Sequence, residues 1–187
     1  MSDDDWFPLN ELTARLAELV WVETAVADVF DAWSACEADG ESAQAFRIAA
    51  GHHRWHSEVL TRCLPTSDQL ADRCRPKPPT AGWETATAML HELVDPDQSS
   101  TRLTVAVREI DPWLDRECSA LLDLLRPIAD APLLRWLRFI VDDHQRDHAP
   151  LSDRLGALQG NTVQLGDRAL LDRIDLRGRS EAPASQD

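Results

Sequence analysis

Apolar residues recur at the spacing of an amphipathic helix in four long stretches, Leu9 to Cys36, Glu41 to Leu64, Thr101 to Leu125 and Pro132 to Leu158. The two-residue alternation of a half-buried strand is absent. The pattern therefore predicts an all-α protein. Punctuation falls between the stretches. Asp39 and Gly40 part the first two, and Asp130, Ala131 and Pro132 offer an N-cap and an early-turn proline to the fourth. Such short links favour antiparallel neighbours. A longer crossover, 65–100, contains Pro76, Pro78 and Pro79 and then a predicted short helix from Trp83 to Val94 that stops before Pro96. The chain thus reads as a helix pair, a long crossover and a second helix pair, with the bundle over 1–160. Residues 161–187 read as an extension with room for a turn or two around Arg168 to Ile174, disordered from about Gly178 on composition.

Polar residues at the middle of an apolar stripe carry the chemical information. Placed on a wheel at about 100° per residue, the first stretch buries Leu12, Leu16, Leu19, Val26, Ala27 and Phe30, and Glu23 falls at the centre of that face. A lone carboxylate there would cost several kcal/mol unless it is paired, protonated or bound to a cation. On the second stretch the stripe of Ala45, Ala49, Val59, Leu60 and Cys63 is centred near His56, with His52 and His53 on either side, while Arg47, Arg54, Glu58 and Arg62 turn outward. On the fourth, Leu134, Leu137, Val141, Leu151 and Leu155 define a face containing His144 and His148, with Gln145 at its edge and Asp142, Asp143 and Asp147 off it. Histidines four residues apart sit one turn apart on one face, where two imidazoles can converge on one ion. Glu23, His56 and His148 are accordingly expected to meet in one dry volume.

The third stretch is less regular. Its stripe is Leu103, Val107, Leu114, Cys118, Leu121 and Leu122, with Asp111 moderately off centre and Asp115 farther off. Asp111 precedes Pro112, so it reads as an N-cap before a first-turn proline, as the site of a kink, or as a ligand.

A length of 187 residues allows one domain with a sizeable core that needs no disulfide or metal to hold it together. The net charge of −14 repels nucleic-acid phosphates and anionic head groups, so neither nucleic acid nor a membrane surface is an expected partner. A small-molecule substrate and a homodimer are the partners left open. Cys36, Cys63, Cys74 and Cys118 form no Cys-x-x-Cys pair, which reads as buried free thiols instead of a zinc ribbon or redox motif. Met1 to Phe7 is acidic, with no basic region followed by an apolar one, and no apolar run reaches the roughly 18 residues of a membrane span. A cytoplasmic location is expected.

The arrangement resembles the ferritin-like di-iron carboxylate superfamily, in which the first and third helices each give a carboxylate and the second and fourth each give Glu-x-x-His. Here Glu23 is followed by His53 with His56 three beyond it, and Asp111 by Gln145 with His148 three beyond it. The resemblance implies a ferritin-like antiparallel four-helix bundle and a metal site drawn from Glu23, His52, His53, His56, Asp111, His144, Gln145 and His148. Where the family has glutamates this chain has His53 and Gln145, which removes charge that would offset two cations. Imidazole-rich ligation with one carboxylate suits iron(II), zinc, manganese or nickel alike, and the resemblance implies iron first. With iron, the implied chemistry is oxygen-dependent oxidation or hydroxylation of a small molecule. Tyrosine is absent, which excludes a tyrosyl-radical reductase. The chain also resembles DinB-like metal-dependent transferases, for which His52 or His56 with His144 and His148 would form the triad. The third alternative is a non-catalytic interaction bundle whose inward polar groups form a buried network. Lys77 is the only lysine, which looks like the codon bias of a GC-rich bacterial genome, and the chain also resembles ferritin-like proteins of such bacteria.

Overall fold

The computed structural model describes residues 8–159, so the predicted extension from 161 and its disordered end lie outside the described residues. Six α-helices follow in chain order: α1 (Leu9–Cys36), α2 (Gly40–Cys63), α3 (Ala81–His91), α4 (Ser99–Val105), α5 (Asp111–Leu124) and α6 (Ala131–Gln159). A π-helical turn, Ala106–Ile110, joins α4 to α5 without a break. No strand occurs among the described residues, and none of their helices is long and apolar enough to cross a membrane.

α1 is the helix around which the others gather. Its buried residues include Leu16, Val20, Val22, Val26, Val29, Phe30 and Trp33, which together wrap most of its circumference, as expected of a helix with neighbours on several sides. α2 packs along it, and Phe46 meets the stacked Phe30 and Trp33 edge to face, all three ring centroids lying 5.3 to 5.5 Å apart. α3 lies across it, where the Trp33 indole donates to the Leu90 carbonyl at 3.0 Å. α6 packs against α2 and α5. Its ends are placed by Arg154, which pairs with Asp39 at 2.7 Å, while Trp136 near its start meets Trp55 near the end of α2.

The helix boundaries have local causes. Asp39 caps α2, its Oδ2 accepting from the Ser42 backbone N–H at 2.9 Å and from the Ser42 hydroxyl at 2.7 Å. Asp130 precedes α6 as its position predicts, but its side chain turns back to accept from the Arg126 N–H at 2.8 Å, closing the preceding loop. Asp111 begins no new helix. The chain enters the Asp111-Pro112 pair through the π turn, with the Asp111 N–H bonded to the Ala106 carbonyl. A proline deprives the carbonyl four residues earlier of its donor and crowds it, and the wider turn absorbs that mismatch.

Where the crossover meets the bundle lies an ion pair that periodicity does not foreshadow. Arg102 donates to Glu37 Oε2 at 2.8 Å, and both side chains are wholly buried. The same guanidinium donates to the Leu93 carbonyl at 3.2 Å and the Asp95 carbonyl at 2.7 Å, and Glu37 Oε1 also accepts from the Ser99 hydroxyl. The start of α4 is thereby tied to the end of α1.

Candidate metal centre

Glu23 is completely buried, midway along α1. Its Oε2 accepts from His53 Nδ1 at 2.6 Å and lies 3.3 Å from His56 Nδ1, and its Oε1 accepts from His144 Nε2 at 3.1 Å. Three imidazoles from two helices thus surround one carboxylate from a third. His53, His56 and His144 are buried, and one ligand atom from each of the four residues lies within 4.8 Å of all the others. Donors bonded to one tetrahedral metal at about 2.0 to 2.2 Å lie roughly 3.3 Å apart. Such a group could hold a metal ion with little movement.

Helical geometry explains the grouping. His53 and His56 are three residues apart on α2, on the side that faces α1 and α6. His53 also packs edge-on against Phe30 with centroids 5.4 Å apart, which fixes one side of its ring. His144 closes the group from α6, its ring 5.0 Å from that of His56 and 5.3 Å from that of His53.

The electrostatics are those of a tightly matched buried group. Burial alone would push the Glu23 carboxyl up, but the imidazoles of His144, His53 and His56 hold it well below the usual carboxylate range. Burial alone would likewise lower His144, and the Glu23 carboxylate outweighs it, lifting His144 well above the ordinary histidine range. The Cys118 thiol, itself pushed up by burial, adds to that rise from the far side of the ring. It does so without conventional hydrogen-bond geometry, leaving His144 Nδ1 buried and unpartnered.

His56 stands between two carboxylates. Its Nδ1 faces Glu23 and its Nε2 faces Asp143 Oδ2 at the long distance of 3.4 Å. A neutral imidazole has one N–H to offer two carboxylates. A cation taking the place of the proton at Nδ1 would leave Nε2–H for Asp143 in the carboxylate–imidazole arrangement common behind metal ligands.

The remaining candidates lie apart from this group. His52 is half-exposed and pairs through Nδ1 with the Asp147 carboxylate at 2.8 Å. His148, expected beside Glu23, instead pairs with Asp111 Oδ2 at 2.8 Å, its side chain 40% exposed. His144, one turn earlier, fills the place expected for His148. Asp111 is buried but engaged with His148, and Gln145 is exposed, since it lies one residue past His144 and is turned about 100° away from it. The carboxylate and amide of the second half-motif therefore do not join Glu23, and a triad of one α2 histidine with both His144 and His148 does not assemble. Asp143 and Asp147, read from the wheel as off the stripe, reach across the seam between α2 and α6 to His56 and His52. Their signal was the facing position of a histidine on another helix, which one helix wheel cannot carry.

No protein-family model matches the chain, and no curated protein or solved structure matches it either. What stands is an all-helical protein with a buried Glu23, His53, His56 and His144 group that could bind metal.

Proposed function

We propose that the chain is a ferritin-like antiparallel bundle that binds one transition metal through Glu23, His53, His56 and His144, and that with iron(II) it oxidises or hydroxylates a small molecule. The observation that carries this reading is the convergence of four buried donor groups within 4.8 Å of one another, with the three imidazoles as the groups that offset the Glu23 charge among the described residues. One carboxylate among neutral imidazoles offsets one divalent cation only in part, which favours a mononuclear centre over the di-iron type. Iron is the metal that the ferritin-like resemblance implies, and zinc or manganese would also suit the donor set. Bound iron(II) would supply one-electron chemistry with oxygen at any position the protein leaves open. The chain's own part would be to fix the three imidazoles, keep bulk water from them and hold the His56 ring through Asp143. All four cysteines are free thiols, which suits a reducing cytoplasm.

A second reading rests on a specific observation. Glu23 is already satisfied by imidazoles as the structure stands, so the group also works as a closed hydrogen-bonded network in an interaction bundle. Metal analysis of untagged protein purified without chelator separates the two. The metal reading expects about one equivalent per chain and its loss in Glu23→Ala. Failure of wild-type protein to take up iron(II), zinc or manganese would leave the network reading in its place.

A further inference from the structure

The first turns of α1, the last turns of α2 and the start of α6 with the residues before it enclose a cleft of about 510 Å³. Its walls are apolar, formed chiefly by Leu12, Leu16, Trp55, Val59, Leu133 and Trp136. Trp55 and Trp136 meet edge to face, with centroids 6.0 Å apart, and give one side a rigid aromatic surface. The size is that of a small-molecule site, and too large for a packing defect in an interior of ordinary density.

The polar groups around the cleft are already engaged. The Thr13 hydroxyl donates to the Leu9 carbonyl at 2.7 Å, and Asp130 Oδ2 accepts from the Arg126 N–H. Arg62 lies 3.6 Å from Glu58 on the same helix. Burial pushes the Cys63 thiol up, so it stays neutral. A charged ligand would lose hydration against the apolar walls, and the two charged lining groups, Arg62 and Asp130, already have local partners. We propose that this cleft is a binding site for an uncharged, largely hydrocarbon small molecule held against Trp55 and Trp136. The site does not depend on the metal reading. The two adjoin, since the Trp55 ring also packs against the His56 ring at 5.5 Å, so one indole separates an occupant from the buried group.

The test titrates full-length protein, both chelator-treated and metal-loaded, with the uncharged probe N-phenyl-1-naphthylamine, following probe emission and tryptophan quenching. Saturable binding of one probe per chain is expected in both samples, so the result is independent of whether metal binds. Decan-1-ol should displace the probe at least tenfold better than decanoate or decylammonium. Ala129→Trp, an exposed substitution at the mouth, should weaken binding at least tenfold with the helical circular dichroism unchanged. Ile128→Gln, next to it but outside the cleft and 93% exposed, should leave binding as it is. The proposal fails if binding does not saturate, if Ala129→Trp binds as wild type, if Ile128→Gln abolishes binding, or if a charged decyl compound competes best. It fails equally if sedimentation shows a dimer that excludes the probe, since a second copy would then be the occupant.

Discussion

The guanidinium of Arg102 and the carboxylate of Glu37 form a 2.8 Å ion pair from which solvent is wholly excluded. Its further bonds to the Leu93 and Asp95 carbonyls mean that one side chain satisfies the end of α1 and two backbone groups of the crossover together. Breaking a buried pair by removing one partner leaves an uncompensated charge and costs about 3 to 5 kcal/mol. Arg102→Met should lower stability to urea by that order, and Arg102→Lys by less, since an ammonium cannot hold all the acceptors at once. A change of under about 0.5 kcal/mol in Arg102→Met, the ordinary range for surface substitutions, would refute the role assigned to the pair.

Two histidines one turn apart on α6 are expected to behave differently. His144→Ala should abolish metal uptake, because its Nε2 is among the converging donors, whereas His148→Ala should leave uptake as in wild type. His56→Leu should also abolish uptake while the bundle stays folded, since apolar replacement of a buried polar group of similar size is often tolerated. Calorimetric titration with iron(II) or zinc reads all three, and full occupancy in His144→Ala would remove that residue from the centre.

Asp143 should act on the metal through His56. Asp143→Asn removes the charge that orients Nε2, and a loss of about ten- to a hundredfold in metal affinity is expected without loss of helicity. Unchanged affinity would show that the long contact to His56 orients nothing.

The pair of Asp111 and His148 predicts a pH dependence. The Asp111 hydrogen bond, opposed by partial burial and aided by the Asp111 and Asp115 charges, holds His148 above its ordinary range. A raised value in the fold means that the protonated form is favoured there. The stabilisation is therefore complete below the unfolded value of about 6.5 and is lost as pH rises through the folded value. Because His148 is 40% exposed, solvent screening keeps the effect under about 1 kcal/mol. The stability gap between wild type and Asp111→Asn should shrink from about pH 5.5 to about pH 9, and an equal gap at both ends would exclude the mechanism.

Pro150 lies inside α6, where it deprives the Arg146 carbonyl of its helical donor. The helix continues through it, held by the buried Leu151 and Leu155 beyond. Pro150→Ala should stabilise the protein by about 1 to 3 kcal/mol, the scale of helix-interior proline penalties. A drop in melting temperature instead would mean that the local distortion is needed for the packing of α6.

The helices were legible because their burial follows the 3.6-residue period: Glu23 lies at the centre of its stripe and is completely buried, and the break at Asp39 and Gly40 is where α2 begins. The choice between His144 and His148 was not legible. Both occupy the same stripe about 40° apart, and what separates them is height along the bundle, about 6 Å over the four residues between them, so which one meets Glu23 depends on how α6 is staggered against α1 and α2. The wheel cannot supply that stagger. Arg102 and Glu37 were illegible for a related reason: each looks like an ordinary charged residue until the crossover brings them together.

The π-helical turn at Ala106–Ile110 has a bearing on which changes in chain length the protein can absorb. It holds one residue more than an α-turn in the same span, so the sequence periods before and after it are offset by one residue while the two helices stay in line. Deleting the exposed Arg108 would let an ordinary α-turn close the same span and leave α4 and α5 in place, whereas deleting one residue of α4 after Arg102 would turn Arg102 by about 100° relative to α5. Either Arg102 would swing away from Glu37, or Asp111 and Cys118 would swing away from α6. A one-residue deletion in α4 acts like a slipped gear tooth, whereas a one-residue change between α2 and α3, in 65–80, turns no helix against another and should pass nearly unnoticed.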